Sequence, residues 1–275
     1  MRIRIVHDSH YSYEGPARGL IQLLRLAPRD HDGQHVRSWR IEPSADGRLR
    51  PSEDSLGNLV HTFWADGPIE NLSVRVVGEV ETSDTHGVIR GTVERLPDLF
   101  YLRESSLAIA DDEIRTFARD VIGDIEADPL GSLHRLLEAL HSQVTFDTAP
   151  THSATTAAEA FALRRGVCQD LSHIFIAAAR HVGVPARYVS GYFHRADGVV
   201  EQEAGHAWAE AKVPGLGWVG FDPANGISSG EAHVRVAVGL DYLGAAPIRG
   251  SRYGGGSESL DVKLTVAAVH NQVQA

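Results

Sequence analysis

Gly166-Val167-Cys168-Gln169-Asp170-Leu171-Ser172-His173-Ile174-Phe175-Ile176-Ala177-Ala178-Ala179, residues 166–179, reads as a helix with almost no polar face. Leu171, Ile174, Phe175, Ile176, the three alanines and Val182 surround its axis, so the helix is expected to be central and buried. Gly183 and Pro185 are placed to stop it. Upstream, Ile114, Phe117, Ala118, Val121 and Ile122 form a helical stripe that Gly123 ends. Asp128-Pro129 reads as an N-cap with proline at the first helical position, ahead of Leu133, Leu136, Leu137 and Leu140. Thr156-Ala157-Ala158-Glu159 has capping-box spacing. Downstream, strands are expected at 187–193, 207–213, 217–221 and 259–269. Helices followed by an antiparallel sheet give an α+β order.

Residues 1 to about 100 read differently. Arg2-Ile3-Arg4-Ile5 alternates at period two, as do stretches within 36–41 and 72–80. Turn clusters at 28–33 and 54–58 punctuate them, which suggests a β-sandwich or small barrel. The chain thus divides into an N-terminal β-rich domain, 1–100, and an α+β domain, 101–275.

Cys168 is the only cysteine, and it falls in the first turn of the buried helix. That position offers free backbone N–H groups and the positive end of the helix dipole. Both favour a thiolate, the nucleophilic form, and the same N–H groups suit an oxyanion beside the attacked carbonyl. The plainer reading is a small buried hydrophobe. A hairpin then shifts the balance. His206-Ala207-Trp208-Ala209-Glu210 runs into Pro214-Gly215-Leu216-Gly217, and Trp218-Val219-Gly220-Phe221-Asp222 runs out. A loop centred on Pro214 sets His206 opposite Asp222, on one face of the sheet. A carboxylate there fixes the tautomer and orientation of an imidazole and supports its charged form. A nucleophile at a helix start with an orientable His–Asp pair has the layout of nucleophilic catalysis.

Other features point elsewhere less strongly. Gly226-Ile227-Ser228-Ser229-Gly230 matches G-x-S-x-G, but that motif needs a following helix, and 234–238 reads as a strand. The 15 histidines include no H-E-x-x-H, so no metal site is expected. Asp170 suits the first turn of its helix, and Trp208 and Trp218 suit sheet packing. Twenty-six Lys and Arg against 36 Asp and Glu give a formal charge of −10, which argues against nucleic acid as a partner. No stretch approaches the ~18 uninterrupted apolar residues of a membrane helix, and the first residues lack the apolar core of a signal peptide. A lone cysteine is at ease in reducing surroundings, so a cytoplasmic location is expected.

Gly166-Val167-Cys168-Gln169-Asp170-Leu171-Ser172-His173, Gly183-Val184-Pro185-Ala186-Arg187-Tyr188-Val189-Ser190-Gly191-Tyr192, and the blocks 206–210 and 217–223 resemble, in order, the core of bacterial transglutaminase-like proteins. Spacings of 38 residues from Cys168 to His206 and 16 from His206 to Asp222 fit as well. Leu26-Ala27-Pro28-Arg29-Asp30, Ser38-Trp39-Arg40-Ile41 and Asp54-Ser55-Leu56-Gly57-Asn58 resemble the β-rich N-terminal region of many such proteins. The tail, with Val236-Ala237-Val238-Gly239, Asp241-Tyr242 and Pro247, also fits.

The resemblance implies a β-sandwich-like N-terminal domain followed by a papain-like core, with the nucleophile helix packed on an antiparallel sheet. It also implies a Cys–His–Asp triad: Cys168 as nucleophile, His206 as general base and acid, Asp222 as its orienter. It implies no cofactor or metal. The second oxyanion donor does not carry over; Gln143 lies in the right region, although an exposed helix end is its plainer reading. The expected activity is thiol-dependent acyl transfer from a peptide or protein amide, with water or an amine as acceptor. A non-catalytic peptide-binding module using the same groove is the alternative, disfavoured by an unsubstituted triad. Bacterial relatives often neighbour ATP-grasp-like and helical proteins, which implies partner proteins of a peptide-modification system.

Overall fold

The computed structural model describes residues 1–269. Four strands open the chain: β1 (Arg2–Ala27), β2 (Gln34–Pro43), β3 (Arg48–Glu53) and β4 (Leu59–Thr82). A connection with the short β5 (Val88–Ile89) and a 3₁₀ turn (Asp98–Leu102) leads to α1 (Asp112–Ile122) and α2 (Pro129–Gln143). Then come β6 (Thr145–Phe146), α3 (Ala157–Leu163), β7 (Arg165–Gly166) and α4 (Cys168–His181). The second sheet follows as β8 (Ala186–Phe193), β10 (His206–Val213), β11 (Gly217–Asp222), β12 (Ile227–Ser228) and β13 (His233–Gly239), while β9 (Glu201–Gln202), between β8 and β10 in the chain, joins the first sheet. The described chain closes with α5 (Tyr242–Ala245), β14 (Ile248–Gly254) and β15 (Glu258–Ala268).

The long strands β1 and β4 pair antiparallel along most of their length, with register breaks near residues 12–19. Residues on both sides of that break meet in one cluster: Tyr11, Leu72 and Val74 from one half, Leu20, Leu24 and Phe63 from the other. The sheet therefore folds toward itself in a sandwich-like layer with its own core. β14 and β15 both pair with β1, β14 along its second half and β15 along its first. This differs from the grouping by chain order: residues 248–268 are strands of the N-terminal sheet. A local hydrophobic pattern identifies a strand, but not the partner that it seeks. Nor is the stretch around residue 100 a bare linker, since Tyr101 is buried and its carbonyl accepts from Arg180 Nε at 3.0 Å.

The second sheet runs β12-β11-β10-β8-β13, all antiparallel, with β5 against β11. Along β10, Ala207, Ala209 and Ala211 join the same core as the apolar residues of α4. Small side chains on both surfaces let the helix approach the sheet closely. The alternate positions carry Trp208 and Glu210, both buried. The expected caps are present: the Asp128 side chain accepts from Gly131 N, and Thr156 and Glu159 form a capping box. Gly123 follows α1 with φ +66°. The buried helix α4 begins at Cys168 rather than at Gly166. No helix among the described residues is long and apolar enough to cross a membrane.

Candidate active site

Cys168 is the first residue of α4 and is half-buried. The chain reaches it through β7, which pairs in parallel with β6. Asp170 closes the helix start, accepting from Val167 N at 2.9 Å and from Thr151 Oγ1 at 2.7 Å. Burial pushes its carboxyl up, against the pull of those hydrogen bonds. The Asp170 carboxylate lies so near Gly166 that a Cβ there would come within 2.7 Å of it. Glycine two residues before the cysteine is thus a packing requirement. The hydroxyl of Ser172 donates to the Cys168 carbonyl at 2.7 Å. As the first two helical residues, Cys168 and Gln169 have no intrahelical acceptor for their N–H groups, which stay available to an anion.

His206 opens β10 and Asp222 ends β11. Their ring nitrogen and carboxylate meet, with His206 Nε2 2.7 Å from Asp222 Oδ2. The strand register is not the one expected from a loop centred on Pro214. Val213 pairs with Gly217 and Ala209 with Phe221, so Pro214, Gly215 and Leu216 form the loop. Gly215 and Gly217 take φ of +79° and +90°, which closes a three-residue turn that side-chain-bearing residues would resist. The shift is two residues, so the face of the sheet is unchanged. His206 reaches Asp222 diagonally rather than from directly opposite.

Asp222 is fully buried and its carboxylate is saturated. Oδ2 also accepts from His233 Nε2 at 3.1 Å and Asn225 Nδ2 at 2.7 Å. Oδ1 accepts from the backbone N–H groups of Ala224 at 3.2 Å and Asn225 at 3.3 Å. Burial alone would push this carboxyl up; the His206 charge and the hydrogen bonds from both histidines overcome that and hold it well below the usual carboxylate range. His206 shows the reciprocal balance. Burial would lower it, but the Asp222 carboxylate, with hydrogen bonds to Asp222 and Cys168, raises it to about 10. With Nε2 given to Asp222, Nδ1 is the nitrogen left for Cys168. Phe193 packs on both histidines, with ring centroids 5.1 Å from His206 and 4.7 Å from His233, and Trp208 lies edge-on to His233 at 5.1 Å. These rings keep water from the ion pair, which strengthens it.

The structure therefore gathers all three residues singled out in the sequence around one centre. It adds His233 and Asn225, which sequence reasoning missed. Asn225 had a signal, lying three residues beyond Asp222 in a turn-forming Pro-Ala-Asn-Gly stretch. His233 had none, since its strand β13 is separated from β10 by β8. Gln143 is the exposed last residue of α2. Ser228 sits in β12 with its Oγ 3.1 Å from His134 Nε2, and the next element is a strand, not the helix its motif requires.

The ligand atoms of His206, Asp222 and His233 lie within 4.8 Å of one another, close enough to invite a metal reading. The hydrogen bonds speak against it. Gly230 N–H donates to His233 Nδ1 at 3.1 Å, so the neutral ring carries its proton on Nε2. A metal-bound imidazole does the reverse, donating from its other nitrogen and offering a bare lone pair to the ion. The donor set suits a hydrogen-bonded trio.

Comparison with known proteins agrees with this layout. The family described as the transglutaminase-like superfamily matches residues 115–223, and the bacterial transglutaminase-like N-terminal region matches residues 3–81. The uncharacterised protein ML0607 of Mycobacterium leprae is 28% identical over 279 residues, covering 96% of this chain and 98% of its own. Rv2569c of Mycobacterium tuberculosis, also uncharacterised, is 27% identical over 290 residues, covering 96% and 92%. A solved structure of a candidate cysteine protease from Cytophaga hutchinsonii superposes with a TM-score of 0.78 at 20% identity, covering 100% of this chain and 92% of that one. At that identity the likeness establishes the shared fold.

Proposed function

From the match of residues 115–223 to the transglutaminase-like superfamily and the geometry of the site, we propose that this chain is a thiol-dependent acyl-transfer enzyme acting on peptide or protein amides, with Cys168 as nucleophile, His206 as acid and base, and Asp222 as the orienter of His206. The observation that carries this reading is the His206 ring itself. It is held through Nε2 by a buried carboxylate, charged at neutral pH, and in reach of Cys168. An oriented imidazole beside a sulfur at a helix start is the arrangement of a base and its nucleophile.

In the first half-reaction the Cys168 sulfur attacks the amide carbonyl carbon, and the C=O π electrons move to oxygen. The N–H groups of Cys168 and Gln169 are suited to receive that oxyanion. As the intermediate collapses, the C–N bond breaks and His206 gives its proton to the leaving amine. A thioester on Cys168 and a neutral His206 remain. In the second half-reaction His206 takes a proton from water or an incoming amine, which attacks the thioester and releases the Cys168 sulfur. With water the enzyme is a peptidase or amidase; with an amine it is a transglutaminase. The cytoplasm, which keeps a lone thiol reduced, is the compartment we assign to it.

The test is mass spectrometry of the intact protein after rapid quenching with a mixture of short glutamine-containing peptides, with and without methylamine. An acyl adduct on Cys168, absent from Cys168→Ala and His206→Ala, is expected. Methylamide products would identify an amine acceptor, and free acids would identify water. No adduct and no product with any peptide would contradict the enzyme reading and favour a binding module.

A further inference from the structure

We propose that His233 is a positioning residue that fixes the Asp222 carboxylate, and through it the His206 ring; this rests on the acyl-transfer reading of the site. The tautomer of His233 follows from its two partners. A backbone N–H can only donate, so Gly230 N, 3.1 Å from Nδ1, requires that nitrogen to be bare. The ring proton then sits on Nε2 and is donated to Asp222 Oδ2 at 3.1 Å. The same oxygen accepts from His206 Nε2 at 2.7 Å. Two imidazole N–H groups from different strands thus converge on one carboxylate oxygen.

The remaining donors to Asp222 are weaker constraints. Ala224 N, Asn225 N and Asn225 Nδ2 all belong to the turn that immediately follows it. They move with Asp222 if that turn shifts. His233 stands at the start of β13, a strand that is not a neighbour of β11 in the sheet. Its ring cannot easily turn, being 6% exposed and packed against Phe193 and Trp208. It therefore ties the carboxylate to a part of the scaffold that the turn cannot carry along. A triad needs its imidazole aimed within narrow limits, and that aim is set by the carboxylate behind it.

His233→Phe retains ring volume in the aromatic pocket but removes the donor. His233→Gln offers an amide N–H in its place. With p-nitrophenyl acetate as a generic acyl donor, His233→Phe should lower kcat by about tenfold to a hundredfold, the range seen when an outer partner that orients a reactive ligand is lost. KM should stay within about twofold, because binding is untouched and only the reacting geometry changes. His233→Gln should recover a measurable part of kcat. A merely structural histidine would instead show reduced thermal stability in both variants with wild-type kcat in the folded fraction, and that result would overturn the proposal.

A second readout does not depend on turnover. Proton NMR of the wild type should show two downfield imidazole N–H signals, from His206 and His233. His233→Phe should remove one and shift the other, and His233→Gln should move the His206 signal back toward its wild-type position. A His206 signal unchanged in both variants would overturn the proposal. If the wild type turns over neither ester nor peptide while the His206 signal responds to His233, the acyl-transfer reading fails and the positioning relationship stands. Should His233→Phe not fold, the comparison of His233→Gln with the shorter His233→Asn, by the same signal, decides the matter: loss of the shift difference between them overturns it.

Discussion

His206 donates to Asp222 diagonally across β10 and β11, because Val213 lies opposite Gly217 and the register continues outward from that pair. The next position level with Asp222 belongs to Trp208, not His206. Diagonal neighbours are separated by roughly 7–8 Å at Cα, a span that an imidazole reaching with its far nitrogen can bridge. With Nε2 engaged by Asp222, Nδ1 is the ring nitrogen left for Cys168.

Replacing Asp222 with Asn should be costly even though the shapes match. Oδ2 faces three donors and Oδ1 faces two, so an NH₂ in either position meets donor with donor. Acyl transfer should fall by at least about a hundredfold, given the loss of about 10⁴ for the corresponding change in a serine triad. Stability should drop by about 1–3 kcal/mol, the cost of leaving a buried polar group unsatisfied. Steady-state kinetics and urea unfolding check the two halves separately. Wild-type turnover in Asp222→Asn would mean that His206 is oriented by something else.

The pH dependence of stability should have two limbs with different owners. His206 is raised from 6.5 to about 10, so the folded state holds a proton that the unfolded state has released. Its contribution is complete below pH about 6.5 and is lost as pH rises toward 10. His7, His31 and His173 are each pushed down to about 4 by burial. The unfolded chain binds protons at these three before the folded chain does, so stability falls as pH drops from 6.5 to 4. Asp222, held low, adds to the acid loss as its pairing is titrated away. Thermal midpoints across pH should peak near 6.5, and His206→Gln should flatten only the alkaline limb. A slope above neutrality that survives in His206→Gln would assign that limb to other groups.

Behind the site, Glu210 is a point of structural vulnerability. It is fully buried, with Arg187 Nε 2.6 Å from Oε2 and Arg235 Nε 2.7 Å from Oε1. Burial would push its carboxyl up, but the two guanidinium groups hold it low. The Arg187 guanidinium also lies over Trp218, 3.9 Å from the ring centre. Glu210→Ala leaves Arg235 without its carboxylate and Arg187 with Glu94 alone, and should cost about 3–5 kcal/mol, readable by urea denaturation. A loss below about 1 kcal/mol would show that the arginines find other partners or water.

The sequence made local features readable and left long-range ones obscure. The helix α4 was legible from Leu171, Ile174, Phe175 and the alanines, because a helix apolar all round has nowhere to go but the core. The starts of α2 and α3 were legible at Asp128 and Thr156, because a cap is a contact within four residues. The His206–Asp222 register came out two residues off: Pro214-Gly215-Leu216-Gly217 marks a turn, but only the backbone angles of Gly215 and Gly217 decide which pair closes it. The face survived because the error was even. The N-terminal sheet was legible as strands, while its completion by β14 and β15 was not, since pairing across some 240 residues leaves no local trace. His233 was invisible for the same reason.

The most direct measurement is the rate at which iodoacetamide alkylates Cys168 in the folded protein at neutral pH, followed by intact mass in the wild type and His206→Ala. Cys168, at a helix start with His206 beside it, should react faster than glutathione under the same conditions, and His206→Ala should bring the rate down to or below that of glutathione. Cys168→Ala should fold and take up no label. A Cys168 that reacts only after urea unfolds the chain, or equally fast with and without His206, would contradict the account.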